Sequence, residues 1–195
     1  DLSMRICVFC GSNEGREPSY MRAASELGAL IARRGYGTVY GGAKDGLMGA
    51  VADGALAAGG EVIGVLPAKL RDLEVDHPNL TELHIVNSMH ERKGMMAELS
   101  DAFISLPGGI GTFEETFEIW TWTQLGIHRK PLALYNVNGF YSKLEDFLDH
   151  VTKERFVRSE HREMMFSETD PNLLIDRLIE FQPPLVKKWI EPSER

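Results

Sequence analysis

The chain has 195 residues, 43% of them hydrophobic and 26% charged, a balance that excludes a disordered protein and fits one ordinary domain over 1–195. Its 21 basic and 29 acidic residues leave a net charge of −8, which excludes a broad basic surface for nucleic acid but not one local anion site. No apolar run approaches the roughly 18 residues of a membrane span, and no charged segment leads into a long apolar one at the N-terminus. The expected setting is therefore the cytoplasm, with no membrane partner.

In chain order, Met4 reads as the natural start, with residues 1–3 an added remnant. Arg5 to Cys10 predicts a buried strand ending at Gly11-Ser12, and Pro18 to Arg34 a helix with Ala23, Ala24, Leu27, Leu30 and Ile31 on one face. Thr38 to Tyr40 is a short strand running into Gly41-Gly42, and Leu47 to Ala58 a helix closed by Gly59-Gly60. Strands are expected at Glu61 to Leu66 and Leu83 to Val86, separated by a charged loop or short helix over Ala68 to Thr81. Met89 to Leu99 is helical, Ala102 to Leu106 a strand, Thr112 to Leu125 a helix and Leu132 to Tyr135 a strand. Helices at Tyr141 to Lys153 and Pro171 to Phe181 follow, and 184–195 reads as a tail. Continuously apolar strands alternating with helices imply an α/β fold: a Rossmann-like, doubly wound parallel sheet with helices on both faces, in a single domain.

Cys7 and Cys10 form a C-x-x-C inside an apolar strand, where residues three apart point to opposite faces. Redox pairs favour a helix N-terminus, so two small core residues are expected instead. The six histidines show no H-x-x-x-H pair, and no metal site is expected.

Ligands of such folds bind beyond the C-terminal strand ends, here Gly11-Ser12, Gly41-Gly42 and Pro107-Gly108-Gly109. The most informative segment is Leu106-Pro107-Gly108-Gly109-Ile110-Gly111-Thr112-Phe113-Glu114-Glu115. A strand ends there, glycines admit a ligand to the backbone, and a helix capped by Thr112 offers its N–H groups to an anion, with phosphate the usual occupant. Glu114 stands where a dinucleotide fingerprint needs a small residue, and no G-x-x-x-x-G-K-S/T occurs, so neither a standard NAD loop nor a P-loop is present. Phe113, Phe117, Ile119, Trp120, Trp122 and Leu125 surround most of the following helix, which is therefore expected to be largely buried. Glu114, Glu115 and Glu118 ride on it; acids in a first turn suit the dipole, but a carboxylate on a mostly apolar helix beside a phosphate site is better explained by chemistry.

A second constellation, Met89-His90-Glu91-Arg92-Lys93-Gly94-Met95-Met96, puts Arg92 on the same side as Met89, Met95, Met96 and Leu99. Arg92 is either snorkelling to a partner carboxylate or pointing into the crevice for bidentate contact with phosphate or carboxylate. Lys93 fits a ligand contact or a solvated charge equally well.

On these two stretches the sequence resembles the Lonely Guy (LOG) family of cytokinin-activating phosphoribohydrolases, bacterial members most. Residues 107–115 match P-G-G-x-G-T-x-x-E, and Cys7-Val8-Phe9-Cys10-Gly11-Ser12, Tyr40-Gly41-Gly42, Gly46-Leu47-Met48-Gly49 and Trp122-x-Gln124-Leu125-Gly126 extend the likeness over nearly the whole chain. The resemblance implies hydrolysis of the N-glycosidic bond of cytokinin riboside 5′-monophosphates, and of AMP, to free base and ribose 5-phosphate. It implies Arg92 and Glu115 as the catalytic pair, no metal or organic cofactor, and a homodimer or assembly of dimers whose sites draw on both protomers. The nucleotide's phosphate would rest on Gly108, Gly109, Ile110, Gly111 and Thr112, with Ser12 and Gly42 from neighbouring strand ends. Met89 would wall the purine, Lys93, Glu114 and Thr121 would lie near the substrate, and Glu74 enters by its family position alone. A nucleotide- or molybdenum-cofactor-binding carrier has a similar fold but needs no carboxylate beside an anion. A decarboxylase would need pyridoxal phosphate on a lysine that no recognisable site specifies.

Overall fold

A computed structural model describes residues 4–181; residues 1–3 and 184–195, read above as remnant and tail, lie outside them. Seven strands alternate with helices: β1 (Arg5–Phe9), α1 (Pro18–Arg33), β2 (Gly37–Tyr40), α2 (Gly46–Ala57), β3 (Val62–Pro67), β4 (Glu82–Val86), α3 (Met89–Leu99), β5 (Ala102–Ser105), α4 (Ile110–Gln124), β6 (Leu132–Tyr135), α5 (Ser142–Lys153), α6 (Ser159–Arg162), β7 (Met165–Glu168) and α7 (Pro171–Glu180). The strands form one parallel sheet in the order β4-β3-β2-β1-β5-β6-β7, the doubly wound arrangement the alternation implies.

Strand alternation sorts the core into two layers. Ile6 and Val8 of β1 face Leu27 and Ile31 of α1, Val51 of α2 and Leu174 and Leu178 of α7. Cys7 and Phe9 face the opposite side, with Met96 of α3, Ile119 and Trp120 of α4 and Leu148 of α5. A third cluster packs Met48, Ala52 and Ala55 of α2 on Tyr40 and Val62. Burial on both faces is why the central strands are continuously apolar. β4, at the edge, exposes Glu82 and Ile85 instead.

Most predicted elements stand within two residues of their expected ends; α6 and β7 are additions. Their residues give no sequence signal because α6 is a single turn and β7 is a four-residue edge strand whose second half is only partly buried. Ala68 to Thr81 is a loop opening with one short 3-10 turn, Ala68–Leu70. Among the described residues no helix is long and apolar enough to cross a membrane.

The sheet order makes β1 and β5 neighbours, with Cys7 beside Phe103 and Phe9 beside Ser105. Their C-terminal continuations stay paired: Gly11 N–H donates to Pro107 O at 3.1 Å and Leu106 N–H to Phe9 O at 2.9 Å. The buried Tyr141 hydroxyl donates to Leu106 O at 2.6 Å and so pins the end of β5 to the start of α5. Tyr141→Phe removes this donor from a buried carbonyl and is expected to destabilise the fold by about 1–3 kcal/mol, read as a lower urea midpoint with unchanged m-value.

Candidate active site

The crevice between the ends of β1 and β5, where the winding reverses, opens into a cavity of about 470 Å³. Ser12, Glu74, Arg92, Gly108, Gly109, Ile110, Gly111, Thr112 and Glu115 line it, together with Cys10, Asn13, Tyr20, Gly41, Met48 and Phe140.

One wall is the turn from β5 into α4. The helix begins at Ile110 with Gly109 as its N-cap, no side chain caps it, and its first turn carries no acid. The terminal N–H groups therefore retain their capacity for an anion. Thr112 is not the cap expected from sequence but the third helical residue, because the helix starts two positions earlier. It is buried, and a Cβ on Gly108 would stand 2.1 Å from its hydroxyl oxygen, so glycine at 108 is what admits Thr112 to this wall. The earlier start also moves Glu114 and Glu115 into the second turn, beyond the strongest pull of the helix dipole.

Arg92 forms the opposite wall. Its side chain is only 5% exposed, and three of its five N–H donors are consumed by the protein. Nε donates to Val65 O at 3.0 Å, while Nη2 donates to Gly41 O at 2.6 Å and to Glu74 Oε2 at 3.0 Å. Among the described residues these partners leave Nη1 for a ligand, so the bidentate use of two guanidinium nitrogens anticipated from sequence is not available. Gly41 is required here, since a Cβ would stand 2.2 Å from Arg92 Nη2.

Glu115 reaches the cavity from α4. Burial pushes its carboxyl up to about 7; the Arg92 charge opposes this, and Glu114 and Glu74 add to it. Its acidic neighbours are tied off: the buried Lys93 ammonium binds Glu114 and also Glu118, the latter at 2.5 Å. Burial works against the Lys93 charge, but these carboxylates outweigh it and raise the Lys93 pKa. Lys93 is thus a buried tie between α3 and α4, outside the cavity lining, and not a solvated charge.

Four more expected residues fall outside this chain's cavity. Gly42 turns away in a left-handed conformation, with its carbonyl accepting His77 N–H, and Gly41 takes its place. Met89 opens α3 on its outer surface, 42% exposed, whereas Met95, Met96, Ala97 and Leu99 further along the helix pack on the core. Glu114 is half-exposed beside Lys93, and Thr121 is exposed with its hydroxyl returned to Phe117 O. The α4 core face is Thr112, Thr116, Ile119, Trp120 and Thr123, while Phe113, Phe117 and Trp122 are only partly covered. Threonines serve this face because their hydroxyls are satisfied locally: Thr116 donates to Thr112 O and Thr123 to Ile119 O.

Sequence reasoning missed the backbone acceptors of Arg92, for which no residue type is diagnostic, and the aromatic rim of Tyr20 and Phe140. Phe140 follows the left-handed Asn138, whose amide donates to Ser19 at 2.5 Å. Cys10, expected in the core, lines the cavity, with its thiol held far above the usual range by burial. Cys7 is fully buried as expected. Among the described residues no His/Cys/Asp/Glu group is arranged to hold a metal.

Because the Glu115 carboxyl holds its proton up to about 7 in the folded protein but only to about 4.5 when unfolded, stability falls as pH rises between these values. Glu115→Gln, which cannot ionise, is expected to melt higher than wild type at pH 8, with the difference vanishing by pH 4; thermal melts across this range read it.

Comparison with known proteins follows the same lines. A family described as "Possible lysine decarboxylase" matches residues 48–178. Over 179 residues the chain is 47% identical to the probable cytokinin riboside 5′-monophosphate phosphoribohydrolase LOGL9 of Oryza sativa subsp. japonica, covering 92% of this chain and 79% of that one. It is 45% identical to the cytokinin riboside 5′-monophosphate phosphoribohydrolase LOG7 of Arabidopsis thaliana, covering 92% and 82%. Among solved structures, a molybdenum cofactor binding protein from Rippkaea orientalis superposes with a TM-score of 0.71 at 23% identity, over 91% of this chain and 96% of that one. A molybdenum cofactor carrier protein from Chlamydomonas reinhardtii gives 0.69 at 20%, over 92% and 99%. These structures share the fold, whereas the family match and the identity to the sequence relatives reach further; the chain belongs to the LOG family of phosphoribohydrolases.

Proposed function

We propose that the protein hydrolyses the N-glycosidic bond of nucleoside 5′-monophosphates, with cytokinin riboside 5′-monophosphates and AMP as substrates. The observation that carries this is Glu115: a carboxyl with a pKa near neutrality, in one cavity with an uncapped helix N-terminus and a locked guanidinium. A nucleotide carrier has no use for a carboxylate beside a bound anion, because the two charges repel. The names of the sequence relatives support the same reading.

In this reading the 5′-phosphate rests on the N–H groups of Gly108 to Thr112, with the Ser12 and Thr112 hydroxyls beside them. Cleavage builds positive charge on the ribose ring as the base departs. Ionised Glu115 stabilises that charge and orients water, and Arg92 Nη1 holds the substrate against the opposite wall. The oxygen of water bonds to C1′ and the C1′–N bond breaks with its electron pair going to the base. One proton of the water ends on the base, and the other stays on the new hydroxyl of ribose 5-phosphate.

The proposal includes a homodimer or assembly of dimers in the cytoplasm. Leu125 and Ile127, 45% and 64% exposed just beyond the C-terminal end of α4, leave apolar side chains for association. Light scattering is expected to give an even multiple of the 21.8 kDa chain.

Incubation with AMP and with isopentenyladenosine monophosphate is expected to release free base and ribose 5-phosphate. Tight nucleotide binding without release would instead favour the carrier. Glu115→Ala and Arg92→Ala are expected to lose at least 100-fold in kcat while remaining folded by circular dichroism. In wild type, kcat/KM is expected to rise with pH through about 7 as Glu115 ionises. Glu74→Gln removes a neighbouring negative charge and should move that limb to lower pH.

A further inference from the structure

The carboxylate that shares Arg92 with the Gly41 carbonyl, Glu74, sits in a loop with little apolar burial to hold it. Leu73 and Val75 beside it are 82% and 44% exposed. Between positions 68 and 80 a single residue is buried, and it is a histidine, His77. Burying an imidazole is unfavourable unless both ring nitrogens find partners, and both do. Nδ1 accepts the Asn79 N–H at 3.1 Å, which leaves the ring proton on Nε2, directed at Asp53 Oδ1 2.6 Å away. Asp53 is the one charged side chain of α2, and it is 67% exposed. A hydrogen bond to so open a carboxylate adds little to global stability, so its effect is to be sought in what the loop holds.

The loop is stitched to the chain after β2 by a short antiparallel pairing. Lys44 N–H donates to Val75 O and His77 N–H to Gly42 O, both at 2.9 Å, with Ala43 opposite Asp76. The buried Tyr40 hydroxyl fixes the Ala43 carbonyl at 2.8 Å. The two acceptors of Arg92 Nη2 immediately precede the two paired segments: Gly41 before 42–44, and Glu74 before 75–77. This pairing therefore sets where Glu74 stands relative to Gly41, and His77 is the residue through which a side chain ties it to a helix.

We propose that Asp53 and His77 form a latch that positions Glu74 against Arg92, making both of them positioning residues for the reaction; this rests on the hydrolase reading of the cavity. Without the latch the Val75–His77 segment loosens, Glu74 leaves Nη2, and Arg92 Nη1 loses its orientation toward the substrate while the sheet and the phosphate turn stay intact.

The test uses the full chain with AMP as substrate. Asp53→Ala is expected to lower kcat about tenfold with a smaller change in KM, and Asp53→Asn, which still accepts from Nε2–H, to restore most of the loss. Combined with Glu74→Ala, which removes the acceptor from Arg92 Nη2, Asp53→Ala should add nothing further, because both act through one contact. Wild-type kcat in Asp53→Ala, equal loss in Asp53→Asn, or fully additive losses in the double variant would each overturn the latch. Hydrogen exchange gives a readout independent of turnover: the Lys44 and His77 amides, which close the pairing, should exchange at least tenfold faster in Asp53→Ala. Unchanged exchange overturns the latch whether or not base is released, whereas a wild type that releases no base overturns the hydrolase reading and leaves the exchange result to decide the latch.

Discussion

A guanidinium taken out of water persists only where fixed acceptors replace the water it loses, and the architecture around Arg92 answers to that constraint. Its acceptors come from three places in the chain: the Val65 carbonyl in β3, the Gly41 carbonyl after β2 and the Glu74 carboxylate in the following loop. None could meet the side chain if α3 did not cross the ends of these strands. Arg92 is therefore a rigid part of the wall, already oriented before a ligand enters. This is the form in which a cation stabilises charge at least reorganisation.

The second wall is tuned by the first. Glu115 feels burial most, then the Arg92 charge, then Glu114 and Glu74. The acids near it are held by cations: Glu74 by Arg92, and Glu114 by Lys93, which Glu118 shares. Separating the neighbouring charges into pairs leaves Glu115 as the carboxyl whose protonation is governed by the cavity. An acid poised near neutrality is the condition for proton transfer at neutral pH.

The parts legible in the sequence are those whose signal is local. Gly108 to Thr112 announces a phosphate turn because strand end, glycines and helix start are contiguous. Arg92 stands out within the methionine stripe of its helix, and Glu115 on a mostly apolar one. The sheet follows from buried strands alternating with helices. What could not be read depends on contacts between distant segments or on backbone atoms. Val65 and Gly41 serve Arg92 through carbonyls that any residue carries. Lys93 faces Glu114 and Glu118 across two helices, which no single-helix periodicity reports. Met89 shares the side of α3 that carries Met96, yet at the first residue of the helix it stands exposed and outside this chain's cavity, a position that periodicity alone does not report. β7 was missed because a short edge strand half-open to water has no apolar run to show.

The position of the cavity at the reversal of the winding carries a consequence for synthesis. β1 and β5 touch along their length, yet Ile6 and its partner Ala102 lie most of a hundred residues apart in the chain. Every strand inserted between them in sequence belongs to the other half of the sheet. A ribosome that has released only the first half has therefore already made Ser12, Glu74 and Arg92, but not the turn that would receive an anion. Nucleotide cannot act as a template for that half, and it can stabilise only a chain in which both halves have closed on β1.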